Sequence, residues 1–127
     1  MSVVHRFTGE EGNFNWEGAI PRGYVKATTK GADGKVLIGK ADGARNFIIR
    51  YFRVEPGGWS ALEKHPHDHG VVILHGRARI RLGDQVFEVG PRDAVYISPE
   101  EEHQLHTLGD EPLGFLCIVP PKDNEIG

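Results

Sequence analysis

Short runs of β-branched and aromatic residues, interrupted by glycine and proline, make up most of this chain. Runs of this length, about 8–12 residues apart and separated by turn residues, are typical of antiparallel sandwiches and barrels. No segment keeps a helical period for three or four turns, and the strongest helical candidate, residues 99–102, is a single polar turn. The pattern predicts an all-β protein with strands at residues 24–28, 36–38, 47–54, 60–65, 71–74, 78–82, 85–89, 94–97, 103–108 and 113–119.

Turn residues separate these strands. The sequence Ala-Asp-Gly at residues 32–34 and Pro-Gly-Gly at residues 56–58 predict two of the turns. Before residue 24 the pattern is weaker, although Phe14 and Trp16 alternate around an asparagine, as they would on one face of an extended strand.

Composition narrows the class of protein. A chain of 127 residues is one domain by length, and a formal net charge of -3 gives no reason to expect binding to nucleic acid or to anionic membranes. No apolar run reaches the 18 or so residues that a membrane span needs. The one cysteine, Cys117, has apolar neighbours and no partner for an internal disulfide. We read it as a packed core thiol and expect a cytoplasmic protein.

The segment Glu63-Lys-His-Pro-His-Asp-His69 carries the candidate chemistry. Residues alternate between the two faces of a strand, so Glu63 and His65 are expected on the same face. Imidazoles and carboxylates bind first-row divalent metals. His69 precedes an apolar strand, and His103 begins a later one, which makes both candidates for the same site. For His67 we favour an exposed position in the loop.

Other polar residues have weaker claims. His5, His75 and His106 are expected at the surface or in ordinary hydrogen bonds. Arg50 and Arg53 fall on opposite faces of one strand, and an inward guanidinium there could bind a substrate carboxylate. The alternative is that each reaches solvent past its own stem. Trp59 and Glu102 are further candidates, for lining the mouth of a site and for carrying protons, with core packing and solvation as the alternatives.

The same residues resemble the first conserved motif of the cupin superfamily, which reads Gly, five residues, His-x-His, three or four residues, Glu, six residues, Gly. Gly57, Glu63, His65, His69 and Gly76 occupy its positions in register. Residues 93–103 are similar to the second motif, which ends on a metal-binding histidine. The fifteen-residue spacer between Gly76 and the residue before Asp93 matches that of small single-domain microbial cupins.

The sequence departs from both motifs. Glu63 stands where the first motif has histidine, and His69 stands where it has glutamate, so the ligand types are kept and two places are exchanged. In the second motif Arg92, Ser98, Glu100 and Thr107 replace the usual Gly, Pro, Gly and Asn.

The resemblance implies a single-domain cupin-like β-barrel (a double-stranded β-helix or jelly roll) over residues 1–127. Its N-terminal arm or edge strands would cover residues 1–22, and its conserved core residues 45–120. It also implies a homodimer formed through edge strands. One divalent transition metal (iron, manganese, nickel, copper, cobalt or zinc) would be held by Glu63, His65, His69 and His103, with His67 as an alternative.

Four such ligands on an octahedral ion leave two adjacent positions open for a substrate. The expected function is a metal-dependent enzyme acting on a small polar organic molecule: an acid, a sugar derivative or an enol. Dioxygenase-like oxidation is favoured over decarboxylase, lyase or isomerase chemistry. A non-catalytic protein that binds a small ligand or a metal is the alternative from another class.

Overall fold

The computed structural model describes residues 1–23 and 28–121. Nine strands and one turn of 3-10 helix, Lys40–Asp42, make up its regular structure. The strands are β1 (Ile20–Arg22), β2 (Lys30–Ile38), β3 (Ile48–Trp59), β4 (His69–His75), β5 (Arg77–Leu82), β6 (Gln85–Val89), β7 (Ala94–Ile97), β8 (His103–Leu108) and β9 (Leu113–Val119). Among the described residues, no helix is long and apolar enough to cross a membrane.

All strand pairs are antiparallel and belong to one curled sheet. Its order is β6-β5-β8-β3-β9-β4-β7, and β2 adds to β3 with β1 on its outer side. Alternate residues of β4 from His69 to Ile73, and of β9 from Phe115 to Val119, are buried on the concave face, as the hydrophobic alternation predicts. The all-β expectation is therefore confirmed, and the buried core lies inside the curl: Val54, Ile73, Ile80, Ile97 and Leu113 are each at most 1% exposed.

Two of the predicted turns lie within strands. Residues 32–34 pair with β3, so β2 begins at Lys30 and not at residue 36. Residues 56–58 lie in β3, where the pairing jumps from Ala32–Val54 to Lys30–Trp59. The extra residues of β3 form a bulge that accommodates Pro56, and Gly57 adopts a φ of 77° there. The turn-forming residues at these two places therefore lie inside the β2–β3 pair, next to its irregularity, and do not end either strand.

The predicted strand at residues 60–65 is wrong, since only Glu63 forms an isolated bridge, to His103. Pro66 prevents continuous pairing, and the segment is a loop that touches β8 at a few points. The predicted strand at residues 24–28 falls outside the described residues, apart from Thr28, which lies in a turn.

The N-terminal segment folds back on itself and covers the convex face of β3. Bridges join Phe7 to Trp16 and Glu10 to Asn13. Phe14 and Trp16 pack on the ring of Tyr51, with centroids 6.0 and 5.3 Å away. Tyr51 is 0% exposed as a result.

Candidate metal centre

Two strand starts and one loop bring the candidate ligands together. His69 is the first residue of β4 and His103 is the first residue of β8, and their side chains are 5% and 8% exposed. The loop that carries Glu63 and His65 is fixed to the segment around His103. Glu63 and His103 exchange backbone hydrogen bonds of 3.2 and 2.9 Å, and the Glu100 amide donates to the His65 carbonyl at 2.6 Å.

Three imidazoles converge at this point. His65, His69 and His103 each offer a nitrogen, and these nitrogens all lie within 4.8 Å of one another. Their ring centroids are 4.9 to 5.8 Å apart. Three imidazole nitrogens at this spacing form a face that could hold one divalent cation.

Glu63 contributes a carboxylate beside this face. Its Oε2 lies 3.2 Å from Nε2 of His65. Two ligands at right angles on one ion are about 3 Å apart when each is about 2.1 Å from it. The separation fits adjacent ligands of a single ion and equally a hydrogen bond from His65, and Glu63 is not among the three residues whose ligand atoms all lie within 4.8 Å of one another.

A hydrogen bond to a backbone carbonyl orients the imidazole of His103. Its Nδ1 lies 2.9 Å from the carbonyl oxygen of Glu101, which can only accept, so Nδ1 carries the proton. The lone pair is then on Nε2, as a metal ligand requires. A backbone carbonyl behind a ligating histidine is the usual way to fix its tautomer.

His69 is kept neutral by its surroundings. Burial, reinforced by the neighbouring imidazoles of His103, His67 and His65, lowers its pKa to about 3. Its Nδ1 is buried and has no hydrogen-bond partner among the described residues. A buried nitrogen without a partner costs free energy unless a cation or another donor meets it.

His67 differs from the expectation of an exposed loop residue. Its ring stacks on His65 at 5.1 Å with an interplanar angle of 4° and lies 4.7 Å from the ring of His69. Nδ1 donates to the Asp68 carbonyl at 3.1 Å, while Nε2 is buried and has no partner in the described part of the chain. Strand alternation could not locate this side chain, because the segment is a loop.

The cluster lines a cavity of about 90 Å³ inside the curl of the sheet. Apolar side chains form much of the wall, and two arginines and the Cys117 thiol complete it. The lining residues include Arg22, Arg50, Phe52, Val71, Leu105, Phe115 and Cys117. Cys117 is thus buried, as predicted, but borders the cavity. Burial raises the pKa of its thiol, although the nearby Arg50 guanidinium acts in the opposite direction.

Arg50 faces inward and Arg53 outward. Arg50 is 9% exposed and borders the cavity, whereas Arg53 donates to the carbonyl of Gly12 and to the carboxylate of Glu55 on the opposite face. The sequence placed the two arginines on opposite faces of one strand and left open whether either of them faces inward.

Trp59 and Glu102 lie elsewhere, and neither is among the described residues that line the cavity. The Trp59 ring packs 5.5 Å from that of His106, with the Lys30 ammonium 5.2 Å from its centroid. Glu102 accepts a hydrogen bond of 2.7 Å from Arg81 at the surface.

Comparison with known proteins gives consistent results. The model of the cupin domain family matches residues 50–119. A 1-methylthio-D-xylulose 5-phosphate methylsulfurylase from Rhodospirillum rubrum is 51% identical over 71 residues, which cover 56% of this chain and 46% of that protein. The match therefore spans less than half the length of this relative.

Solved structures extend the likeness over nearly the whole chain. A cupin-2 domain protein from Rhodospirillum rubrum aligns with a TM-score of 0.79 at 35% identity, covering 94% of this chain and 80% of the other. The polyketide cyclase RemF from Streptomyces resistomycificus aligns with a TM-score of 0.78 at 26% identity, covering 98% and 82%.

Proposed function

The chain belongs to the cupin domain family, and on that premise we propose that it is a metal-dependent enzyme acting on a small polar organic molecule. The observation that carries the proposal is the convergence of three imidazole nitrogens within 4.8 Å, beside a carboxylate, on the wall of a cavity. Similarity to a methylsulfurylase and a polyketide cyclase supports an enzymatic role.

In this proposal His65, His69 and His103 hold one divalent transition metal, with Glu63 as the fourth ligand. His67 is the alternative fourth ligand, because its buried Nε2 has no partner in the described chain. Once bound, the metal would polarise a substrate oxygen or activate dioxygen. The protein's own residues would bind and orient these groups and exclude water. Burial keeps His69 neutral, the Glu101 carbonyl orients His103, and the apolar wall excludes water.

The class of reaction is open to a direct test. Dioxygenase-like oxidation is the class favoured from the sequence, but the two relatives carry the names of a methylsulfurylase and a polyketide cyclase. The other class expected from the sequence is decarboxylase-, lyase- or isomerase-like chemistry, in which a substrate oxygen is polarised. Under this reading, turnover continues without dioxygen.

The experiment uses protein purified without added metal. Elemental analysis is expected to find about one divalent transition ion per chain. Chelation should abolish turnover on a panel of 2-hydroxy acids, 2-oxo acids and sugar phosphates, and one of the six candidate metals should restore it. Repeating the assay under argon separates the two reaction classes. Full turnover by demonstrably metal-free protein would refute the proposal.

The proposed homodimer would use an exposed sheet edge. Strand β6 lies at one end of the sheet, with Val86 and Phe87 57% and 46% exposed. Light scattering of the wild-type protein and of a Phe87→Lys variant tests this, and a wild-type protein that is monomeric at micromolar concentration would contradict it.

A further inference from the structure

Arg50 is a buried cation without a carboxylate partner in the described chain. It is 9% exposed, and its Nε is buried with no hydrogen-bond partner among the described residues. Its polar contact there is from Nη2 to the sulfur of Cys117, at 3.1 Å. The guanidinium also lies 5.1 Å from the centroid of the Phe52 ring.

These contacts compensate the charge poorly. Taking a guanidinium out of water costs several kcal/mol, which a carboxylate with good geometry offsets. A thiol sulfur is a weak acceptor, and an aromatic face contributes about 1–2 kcal/mol. Arg53 and Arg81, in contrast, each pair with a carboxylate at 2.7 Å on the outside of the sheet. The inward arginine therefore lacks the counter-charge that the outward ones have.

Strand register fixes where this charge lies relative to the imidazoles. Arg50 pairs with Cys117 across β3 and β9, and Cys117 pairs with Val71 across β9 and β4. These three residues form one inward row, and His69 lies on the next inward position of β4. Neighbouring strands are about 4.8 Å apart, so the backbones of Arg50 and Val71 are about 10 Å apart. The guanidinium and the imidazole face therefore border the same cavity from different strands.

The size of the cavity limits what meets both groups. The cavity volume of about 90 Å³ is several times the roughly 10–15 Å³ that a single water requires, so the cavity admits a small molecule. A three-carbon 2-oxo acid is in this size range, and its planar carboxylate matches the fork of a guanidinium.

We propose that Arg50 binds the carboxylate of the substrate, so that the substrate is a short organic acid whose hydroxyl or carbonyl oxygen faces His65, His69 and His103. This proposal deepens the proposed function, on which the role of the imidazoles rests. The anion subsite itself requires no metal, which allows the two to fail separately.

The test measures binding of pyruvate by calorimetry, with the protein both as purified and after treatment with EDTA. Hydroxyacetone is the uncharged control ligand, and inorganic phosphate tests a tetrahedral anion. Pyruvate is expected to bind in both states and hydroxyacetone to bind at least tenfold more weakly. Arg50→Gln should weaken pyruvate binding at least tenfold, whereas the exposed Arg79→Gln should change it less than twofold.

Equal pyruvate binding by wild type and Arg50→Gln would overturn the inference, as would phosphate binding more tightly than pyruvate. Protein that holds no transition metal as purified and takes up none when it is offered, yet still binds pyruvate through Arg50, would retain the subsite while contradicting the proposed function.

Two further measurements separate ligand binding from a structural role. Arg50→Met removes an uncompensated charge and keeps an unbranched apolar side chain, so it should raise Tm by about 4 °C. A fall in Tm would overturn the premise. In ¹⁵N-labelled wild-type protein, the Nε–H resonance of Arg50 should shift on addition of pyruvate. An unchanged resonance at saturating pyruvate would count against the subsite even if the variants fail to fold.

Discussion

Strand β4 begins and ends with a buried histidine, and the two ends are built in opposite ways. His69 at its start borders the cavity, and its Nδ1 has no partner among the described residues. His75 at its end has both nitrogens satisfied. Nδ1 donates to the Pro112 carbonyl at 2.9 Å, and Nε2 accepts from the Tyr51 hydroxyl at 2.5 Å. Burial alone therefore does not distinguish a ligand from a structural histidine, but hydrogen-bond partners do.

The two histidines also face opposite sides of the sheet, although alternation predicts the same side. The β4–β9 register shifts between Ile73 and His75. This irregularity turns His75 to the convex face, where the Phe14 ring lies 4.7 Å away. A Cβ on Gly114 would overlap the His75 ring, so the absence of a side chain there makes room for it. One shift in register thus separates a candidate ligand from a packing residue.

Removing a ligand should give the largest effect. His69→Ala and His103→Ala are each expected to weaken binding of Mn²⁺ or Zn²⁺ about 100-fold or more, because each removes one of the three imidazole ligands of the proposed four-ligand site. Calorimetric titration of the apo-protein measures this. His106→Ala, on β8 outside the cluster, is the matched control and should stay within twofold. Binding that survives both ligand variants would place the ion elsewhere.

Removing the other buried histidine should affect stability instead. His75→Ala leaves the Tyr51 hydroxyl and the Pro112 carbonyl without their partner and opens a cavity, at a cost of about 3 kcal/mol in the free energy of unfolding. Urea denaturation measures the loss. Tyr51→Phe is the milder version and should cost about 2 kcal/mol.

Metal affinity is expected to remain within threefold of wild type in whichever of these two variants folds. A large loss of metal affinity with little loss of stability in His75→Ala would show that His75 is a ligand and not a structural histidine.

Acid should destabilise the metal-free protein through both histidines. Burial lowers the pKa of His75, and burial with neighbouring imidazoles lowers that of His69 to about 3. The unfolded chain takes up these protons near pH 6.5 and the folded chain at lower pH. Stability is therefore complete above about pH 6.5 and falls as the pH drops towards the folded values, by at most about 1.4 kcal/mol per pH unit per group.

Urea unfolding of the EDTA-treated protein between pH 4 and pH 8 follows this dependence. The slope should be smaller in His69→Gln, which lacks one of the two groups. The same slope in wild type and variant would show that His69 is not held neutral.

The smallest effect is expected at Glu102, a candidate proton carrier that the structure places at the surface. Its ion pair with Arg81 is almost half exposed, and exposed pairs contribute about 0–1 kcal/mol. Glu102→Gln should lower stability by about 0.5 kcal/mol or less and leave metal affinity unchanged. A tenfold drop in metal affinity would bring Glu102 into the site.

Sequence reasoning succeeded where alternation and motif spacing act together. The strands that carry His69 and His103 are predicted within two residues of their observed bounds, because buried strands enforce alternation. It failed for β2, whose residues 30–35 have the composition of a turn and form a strand because β3 lies alongside.

The surroundings of Arg50 and His67 were also beyond the sequence. His67 lies in a loop, where alternation has no meaning. The inward direction of Arg50 follows from the register of β3 against β9, and its lack of a carboxylate partner among the described residues depends on which side chains reach the same cavity. Tertiary packing decides such features, and local pattern does not contain them.

The central claim is that one divalent ion lies between His65, His69 and His103. A crystal structure of protein grown with Mn²⁺, with anomalous data collected on both sides of the manganese absorption edge, tests it most directly. The account predicts a single strong anomalous peak about 2.1–2.3 Å from one nitrogen of each of these three histidines. An anomalous map with no peak between these histidines, or with manganese bound only at the surface, would contradict the central claim.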